Sequence, residues 1–288
     1  MANTQALKGR IRSVKSTKQI TKAMELVAAS KMRRAQENAK ASMPYAQAAR
    51  HLLATLSNHR NVSEHPLFNK RPVKTRLLIV IASDKGLAGA FNSNLVKLYT
   101  QELRADDASG TKNTTITVGR KAAQFVARLK DTEVLGSYQD LPDRPDSREL
   151  HSILDSAHDA FINGTVDAVD LIFTRFYSSV KQTADIIRLF PAGYEQLDEL
   201  ADLQDVLYEP SVDEVLDGVV TRLTGARVYQ ALLDSRASEY SMRMLAMKNA
   251  TDNATDLIDD LTLAMNKVRQ GAITQELAEI SGGVEAAV

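Results

Sequence analysis

Cysteine and tryptophan are both absent from the 288 residues, and aromatic side chains make up only 5% of the chain. Without thiols, disulfides, thiolate metal sites and cysteine nucleophiles are excluded. Compact cores usually rely on large aromatic rings, so the scarcity of aromatic side chains favours an elongated molecule. The longest apolar run, residues 77–82, is far shorter than the roughly 20 residues of a membrane-spanning helix. We therefore expect a soluble or peripheral protein.

Proline is missing from the last part of the chain. The seventh and last proline is Pro210, and the residues after it are rich in Ala, Leu, Met, Glu, Lys and Arg. These are strong helix formers, and proline is the strongest helix breaker. The composition predicts a single long helix over residues 211–288.

The apolar residues of this segment alternate steps of four and three, which is the heptad pattern of a coiled coil. Thr251 is the one polar residue in this run. The same register continues back to Leu216, with one further polar position at Gln230. The uninterrupted part of this seam comprises Tyr240, Met244, Met247, Thr251, Ala254, Ile258, Leu261, Met265, Val268 and Ala272.

The first 60 residues offer a partner for this helix, because the same rhythm runs from Ala28 to Leu56. Most of its seam residues are alanine, which lets two helix axes approach closely. Before Ala28, the polar residues Lys18, Thr21 and Glu25 interrupt the register, while Ile20, Met24 and Val27 form an offset apolar stripe. We expect the contact surface to change there.

Strand and helix patterns alternate between the two helical ends. We expect strands at residues 76–82, 114–118, 133–138, 169–177 and 183–190, and helices at 94–104, 121–130 and 147–161. The fold class is therefore α/β, with a Rossmann-like domain inserted between two helices that pair as a long antiparallel coiled coil. The predicted segments are residues 1–60, 61–210 and 211–288.

Catalytic motifs are missing from the sequence. The glycine-rich loop at residues 83–92 contains neither GxxxxGK[ST] nor GxGxxG, so we interpret it as a tight turn in which Ser83 or Asp84 caps the next helix. The histidines are scattered, and His151 and His158, seven residues apart, do not match a metal clamp. We expect no cofactor, no metal and no direct nucleotide binding.

Charge is distributed unevenly although the chain is neutral overall. Residues 1–60 contain twelve Lys or Arg and two Glu, whereas residues 212–288 contain seven basic and twelve acidic side chains. The basic segment could bind nucleic acid, bind an acidic protein surface, or lie solvated beside the acidic helix. The absence of interleaved aromatics argues against nucleic acid.

Four blocks of sequence resemble the gamma subunits of F-type ATP synthases. They are LKGRIRSVKSTKQITKAM at residues 7–24 with its continuation to 36, SDKGLAG at 83–89, LYEP at 207–210, and MKNATDN at 247–253 with RQGAITQELAEI at 269–280. Gly271 and Val284 stand where the family more often has Ala, and Ala88 where some members have Cys. The cysteine-containing insert of chloroplast members is absent, so redox switching is not expected.

This resemblance implies a non-catalytic central rotor shaft that couples proton translocation to ATP synthesis or hydrolysis. The implied partners are the alpha and beta subunits of the catalytic ring, the epsilon subunit and the membrane c-ring, and the implied location is the cytoplasmic face of a bacterial inner membrane. Residues matching the family's partner-binding positions are Lys18, Lys22, Met24, Lys31, Lys85, Leu207, Tyr208, Glu209, Arg269, Gln270, Thr274 and Glu276.

Two other classes of function compete with this interpretation. A coiled-coil scaffold or adaptor would explain the heptads but not the four blocks of sequence. A nucleotide-binding enzyme would explain the alternating strands and helices, and it predicts saturable nucleotide binding by the isolated chain.

Overall fold

The computed structural model describes residues 2–57, 65–130, 132–143, 147–193 and 212–285. The chain divides into two compact units, one formed by residues 1–29 with 243–288 and the other by residues 30–242. Its helices are α1 (Ala2–Ser57), α2 (Phe91–Ser109), α3 (Arg120–Val126), α4 (Ser147–Ile162) and α5 (Val212–Glu285). Its strands are β1 (Thr75–Ile81), β2 (Lys112–Val118), β3 (Glu133–Tyr138), β4 (Ala168–Phe176) and β5 (Gln182–Phe190).

The five strands form one sheet in the order β3-β2-β1-β4-β5. All neighbouring pairs are parallel except β4 and β5, which pair antiparallel. The predicted α/β fold class is therefore confirmed. Helix α2 is longer than the predicted 94–104, and α3 is shorter than the predicted 121–130.

Two hydrophobic cores cover the two faces of the sheet in the unit of residues 30–242. Leu95 and Tyr99 of α2, with Ala122 and Val126 of α3, cover one face. The other face carries α4 together with parts of α1 and α5, whose buried residues include Ala49, Leu53, Leu56, Leu216, Val220 and Leu232. The terminal helices are thus part of the domain core.

The unit of residues 30–242 also shows how α1 and α5 pair. Lys31 contacts Tyr240, whereas Ser42, further along α1, contacts the earlier residue Gln230. The partner number falls as the α1 number rises, so the helices run antiparallel, as predicted. The polar seam position Gln230 meets a polar residue rather than a hydrophobic one, which satisfies its amide.

A heptad seam is also present within the unit of residues 1–29 with 243–285. Met247, Thr251 and Ala254 are buried on α5, and the Thr251 hydroxyl donates to the Thr21 hydroxyl at 2.8 Å. Burial on α1 follows Ile11, Val14, Lys18, Thr21, Glu25 and Ala28.

The expected change of contact surface near residue 20 is wrong. Ile20 and Val27 of the offset stripe are 58% and 59% exposed, whereas Lys18, Thr21 and Glu25 are half-buried in the seam. Aliphatic stems of long polar side chains can cover apolar surface while their heads stay in water, which explains how the register passes through these positions.

The predicted boundaries at residues 60/61 and 210/211 stay predictions, because both lie outside the described residues. No helix in the described ranges combines the length and apolarity that crossing a membrane requires.

Candidate functional site

The part of α1 in the smaller unit carries both basic and exposed apolar side chains. Lys22 is exposed and its ammonium lies 3.0 Å from Glu25 on the next turn of the same helix. Lys18 and Met24 are half-buried, and Ile20 and Leu26 are more than half exposed. Such a surface suits a protein partner that brings both acidic and apolar groups.

Lys31 belongs to a three-residue cluster in the larger unit. Its ammonium lies 3.0 Å from the Asp143 carboxylate and 3.4 Å from the Tyr240 hydroxyl, which itself donates to Asp143. The hydrogen bond that Lys31 donates to Asp143 raises the pKa of Lys31. Desolvation and the bond to Asp143 raise the pKa of Tyr240 to about 12. Lys31 is therefore already engaged by the loop that follows β3.

The predicted capping role of Asp84 is wrong, because its carboxylate does not cap α2. One oxygen instead accepts from the backbone amides of Arg120, the first residue of α3, at 3.0 Å, and of Asp140 at 3.1 Å. The other lies 3.5 Å from the Arg236 guanidinium of α5. A carboxylate is favourable at a helix N-terminus, where free backbone amides point outward. Asp84 thus joins the loop after β1 to the start of α3 and to the interior of α5.

Ser83 does not cap α2 by itself either. Its amide donates to the Asn92 side chain at 3.2 Å, and its hydroxyl donates to the Lys85 carbonyl at 2.7 Å. Both hydrogen bonds join residues within the glycine-rich loop at 83–92. The turn carries Lys85 exposed at its surface, and Leu87 and Gly89 adopt left-handed backbone angles, with φ of 61° and 54°.

Side chains of α5 fill the crevice at the carboxyl ends of the strands, where doubly wound proteins bind their ligands. The backbone amide of Thr174 in β4 donates to Ser235 at 3.1 Å, and Arg236 donates to the Leu141 carbonyl at 2.8 Å. The space left between Asp84, Gly119 and Arg236 measures about 10 Å³. This volume is about that of one water molecule and is far too small for a nucleotide.

Sequence reasoning missed a buried ion network on the α2 side of the sheet. Asp170 of β4 is 2% exposed. Its carboxylate accepts hydrogen bonds from the guanidinium of Arg76 in β1 at 2.5 Å and from that of Arg188 in β5 at 3.0 Å. Arg76 also contacts Glu102 at 2.9 Å and Asp106 at 3.1 Å. Charged residues at inward-facing strand positions were the available signal. Every charge in the network has a partner, which is typical of a structural role.

The remaining predicted partner residues divide into two groups. Arg269, Gln270 and Thr274 are exposed on α5, and the Thr274 hydroxyl donates to the Gln270 carbonyl at 2.9 Å. Leu207, Tyr208 and Glu209 lie outside the described residues, as does the side chain of Glu276.

The geometry of the described residues gives no support to a metal site at His151 or His158. His158 approaches Asp159 at 3.5 Å and its ring meets Phe190 edge to face. Within the described ranges, no group of three or more His, Asp or Glu side chains is arranged to hold a metal ion.

Comparison with known proteins gives the same family throughout the chain. A family model described as ATP synthase matches residues 3–287. The ATP synthase gamma chain of Acidithiobacillus ferrooxidans is 41% identical over 288 residues, covering 99% of this chain and all of that one. The gamma chain of Opitutus terrae is 42% identical over 301 residues, covering 100% of this chain and 99% of that one.

The fold matches a solved structure as well. The rotor of the Euglena gracilis mitochondrial ATP synthase superposes with a TM-score of 0.68 at 18% identity, covering 94% of this chain and 99% of that one. With a matching family model over nearly every residue and relatives above 40% identity over full length, the chain belongs to the ATP synthase gamma chain family.

Proposed function

We propose that this chain is the rotating central shaft of an F-type ATP synthase, coupling proton translocation through the membrane sector to ATP synthesis or hydrolysis on the beta subunits. The observation that carries the proposal is the antiparallel pairing of α1 with α5, which also forms part of the core of the sheet domain. A nucleotide-binding role is disfavoured because α5 fills the crevice at the strand ends. The chain performs no bond chemistry of its own.

The mechanism follows from asymmetry. Three chemically identical sites around one shaft meet different faces of it, so each site is biased towards a different affinity. The ligand affinity of a site changes only by the difference in free energy with which the shaft contacts its two states. Rotation of the shaft then passes each bias from one site to the next.

The proposed contact surfaces fall into three groups. Lys18, Lys22 and Met24, with Lys31 and Lys85, bind acidic segments of the beta subunits. Arg269, Gln270, Thr274 and Glu276 bind the inner surface of the alpha and beta ring, and Leu207, Tyr208 and Glu209 contact the c-ring, beside the epsilon subunit. Exposed leucines such as Leu263, at 72%, give α5 an apolar surface suited to a protein sleeve.

The test is complementation. Membranes of a bacterium lacking its own gamma chain should regain ATP-driven proton transport when this chain is expressed, and the chain should copurify with the alpha and beta subunits. ATP hydrolysis without proton transport, in a correctly assembled complex, would contradict the shaft role. A generic scaffold would restore neither activity.

For location, we propose the cytoplasmic face of the bacterial inner membrane, as a peripheral protein held by its partners. Washing inverted membrane vesicles with concentrated urea, without detergent, should release the chain together with the alpha and beta subunits, since contacts with partner proteins rather than a membrane span retain it. Retention of the chain after alpha and beta are removed would argue for an independent membrane anchor.

A further inference from the structure

An open cavity of about 690 Å³ lies between α1, α4 and α5 in the unit of residues 30–242. This volume is within the range of small-molecule sites, about 300–1,000 Å³. Its floor is apolar, with Leu150 and Leu154 from α4 and Ala226 from α5. None of its lining residues belongs to the proposed rotor contacts, and the cavity is distinct from the filled crevice at the strand ends.

Two glycines of α5 form one wall of this cavity. Gly225 has a packing reason, because a Cβ there would come within 3.2 Å of the Leu154 side chain. Gly218 has none, since a Cβ would meet nothing within 4 Å. Glycine inside a helix costs about 1 kcal/mol relative to alanine. Gly218 is exposed, and its missing side chain leaves the cavity open at this point.

The charge of the lining is positive. Among the residues whose side chains the structure describes, no Asp or Glu lines the cavity, and the exposed Arg222 makes no hydrogen bond or ion pair with any of them. The rings of Tyr45, Tyr229 and His151 also line it. Flat rings stack on aromatic ligands, and a guanidinium pairs with a carboxylate through two parallel hydrogen bonds.

We propose that this cavity binds a planar aromatic carboxylic acid, with its ring on the apolar floor between Leu154 and the tyrosines and its carboxylate on Arg222. An anionic ligand neutralises the positive charge of the lining, and a planar ring fits the space that Gly218 leaves open. An aliphatic acid would satisfy the charge but would not use the ring-lined walls. The inference does not depend on the rotor function.

The experiment is photolabelling of the assembled complex with 4-benzoylbenzoate, an aromatic acid that forms covalent bonds under ultraviolet light. Mass spectrometry should map the label to peptides containing residues 150–158 and 218–229. An excess of 2-naphthoate should compete the label away, whereas dodecanoate at the same concentration should not. Equal competition by dodecanoate would overturn the aromatic specificity, and absence of label from these peptides would overturn the site.

Variants distinguish labelling at this site from nonspecific labelling of the protein surface. Gly218→Phe fills the cavity and should lower labelling at least tenfold, whereas Asp155→Phe, on the exposed face of α4, should leave it unchanged. Arg222→Gln should weaken labelling about tenfold through loss of a charged hydrogen bond, and Arg222→Lys should restore part of it. Unchanged labelling in Arg222→Gln would overturn the proposal even if Gly218→Phe fails to assemble. Labelling of the free chain but not of the complex would also overturn it, since a partner would then occupy the cavity.

Discussion

Asp143 is the residue at which the loop after β3 meets both terminal helices. It accepts from Lys31 of α1 and from Tyr240 of α5. Burial raises its pKa, but the hydrogen bonds from Tyr240 and Lys31 outweigh that effect and leave the pKa below its ordinary value. A carboxyl with a lowered pKa stabilises the fold above its unfolded-state pKa, and this contribution is lost as pH falls through the folded-state pKa.

Asp143→Ala should therefore destabilise the chain by about 1 kcal/mol, mainly because the Tyr240 hydroxyl loses its acceptor. Asp143→Asn should cost less, since its carbonyl still accepts that bond. Both side chains of the Lys31 pair are about half exposed, at 46% and 51%, so the ion pair itself contributes little. Urea unfolding followed by circular dichroism measures both variants, and equal losses for Ala and Asn would show that charge matters more than the acceptor.

The pKa of Asp234 is shifted in the opposite direction to that of Asp143. Burial raises its pKa from 3.8 to about 6, against the hydrogen bond from Gln230 at 2.9 Å and the charge of Arg175. A carboxyl with a raised pKa binds its proton more tightly in the folded state. Its ionisation therefore lowers stability as pH rises from about 3.8 to about 6, and the loss is complete above that range.

Asp234→Asn should remove this loss and raise the free energy of unfolding at pH 8 by at most about 3 kcal/mol. The gain should shrink towards zero near pH 4. Unfolding curves at several pH values test it, with the exposed Asp155→Asn as control. A gain that is the same at pH 4 and pH 8 would mean that burial of this carboxylate is not the cause.

On the scale of secondary structure, the two terminal helices are held by a seam of small and flexible residues with polar positions in it. Thr251 contacts Thr21 in one unit, and Gln230 contacts Ser42 in the other. A polar seam residue is tolerated only opposite another polar residue, so each such pair disfavours alternative registers.

Ile258→Asp should lower stability by roughly 2 kcal/mol, because a carboxylate would replace a half-buried seam residue. Leu263→Asp is the matched control, since this leucine is 72% exposed and its replacement should change stability by less than about 0.5 kcal/mol. Thermal unfolding monitored at 222 nm measures both. Similar melting temperatures for the two variants would place Ile258 outside the seam.

The heptads and the strands could be predicted from sequence because each rests on a local period. The seam from Ala28 to Leu56 and the five strands required no knowledge of distant residues. The contacts of Asp84 and Asp143 could not be predicted, since Asp143 and Lys31 are 112 residues apart. At Lys18 and Thr21, hydrophobicity misled the prediction, because Ile20 and Val27 of the apolar stripe are the residues exposed to solvent.

At the scale of the whole molecule, the basic excess of residues 1–60 is the feature most directly open to functional test. Two lysines of this segment form ion pairs in the structure. Lys22 pairs with Glu25 within α1, and Lys31 pairs with Asp143. Neither uses the acidic side chains of α5. The solvated interpretation, in which the acidic helix neutralises the basic one, thus gains no support from these two lysines.

Reversing Lys18 and Lys22 to glutamate should reduce ATP-driven proton transport several-fold while leaving assembly with alpha and beta intact, because the proposed contact is with acidic segments. Lys97→Glu with Lys112→Glu, an equal charge change at exposed positions of the sheet domain, is the control. Proton transport assayed by quenching of a pH-sensitive dye distinguishes them. Equal effects of the two double variants would assign the loss to net charge.

The sharing of one core by α1 and α5 has a consequence during translation. Ala49 and Leu53 leave the ribosome early, but Leu216, Val220 and Leu232, which complete the same core, are made only near the end of synthesis. At about 5–20 residues per second, the growing polypeptide waits roughly ten seconds or more with that apolar surface uncovered. The nascent chain is therefore a natural client for chaperones, and truncation before Leu216 should yield insoluble product rather than a smaller folded protein.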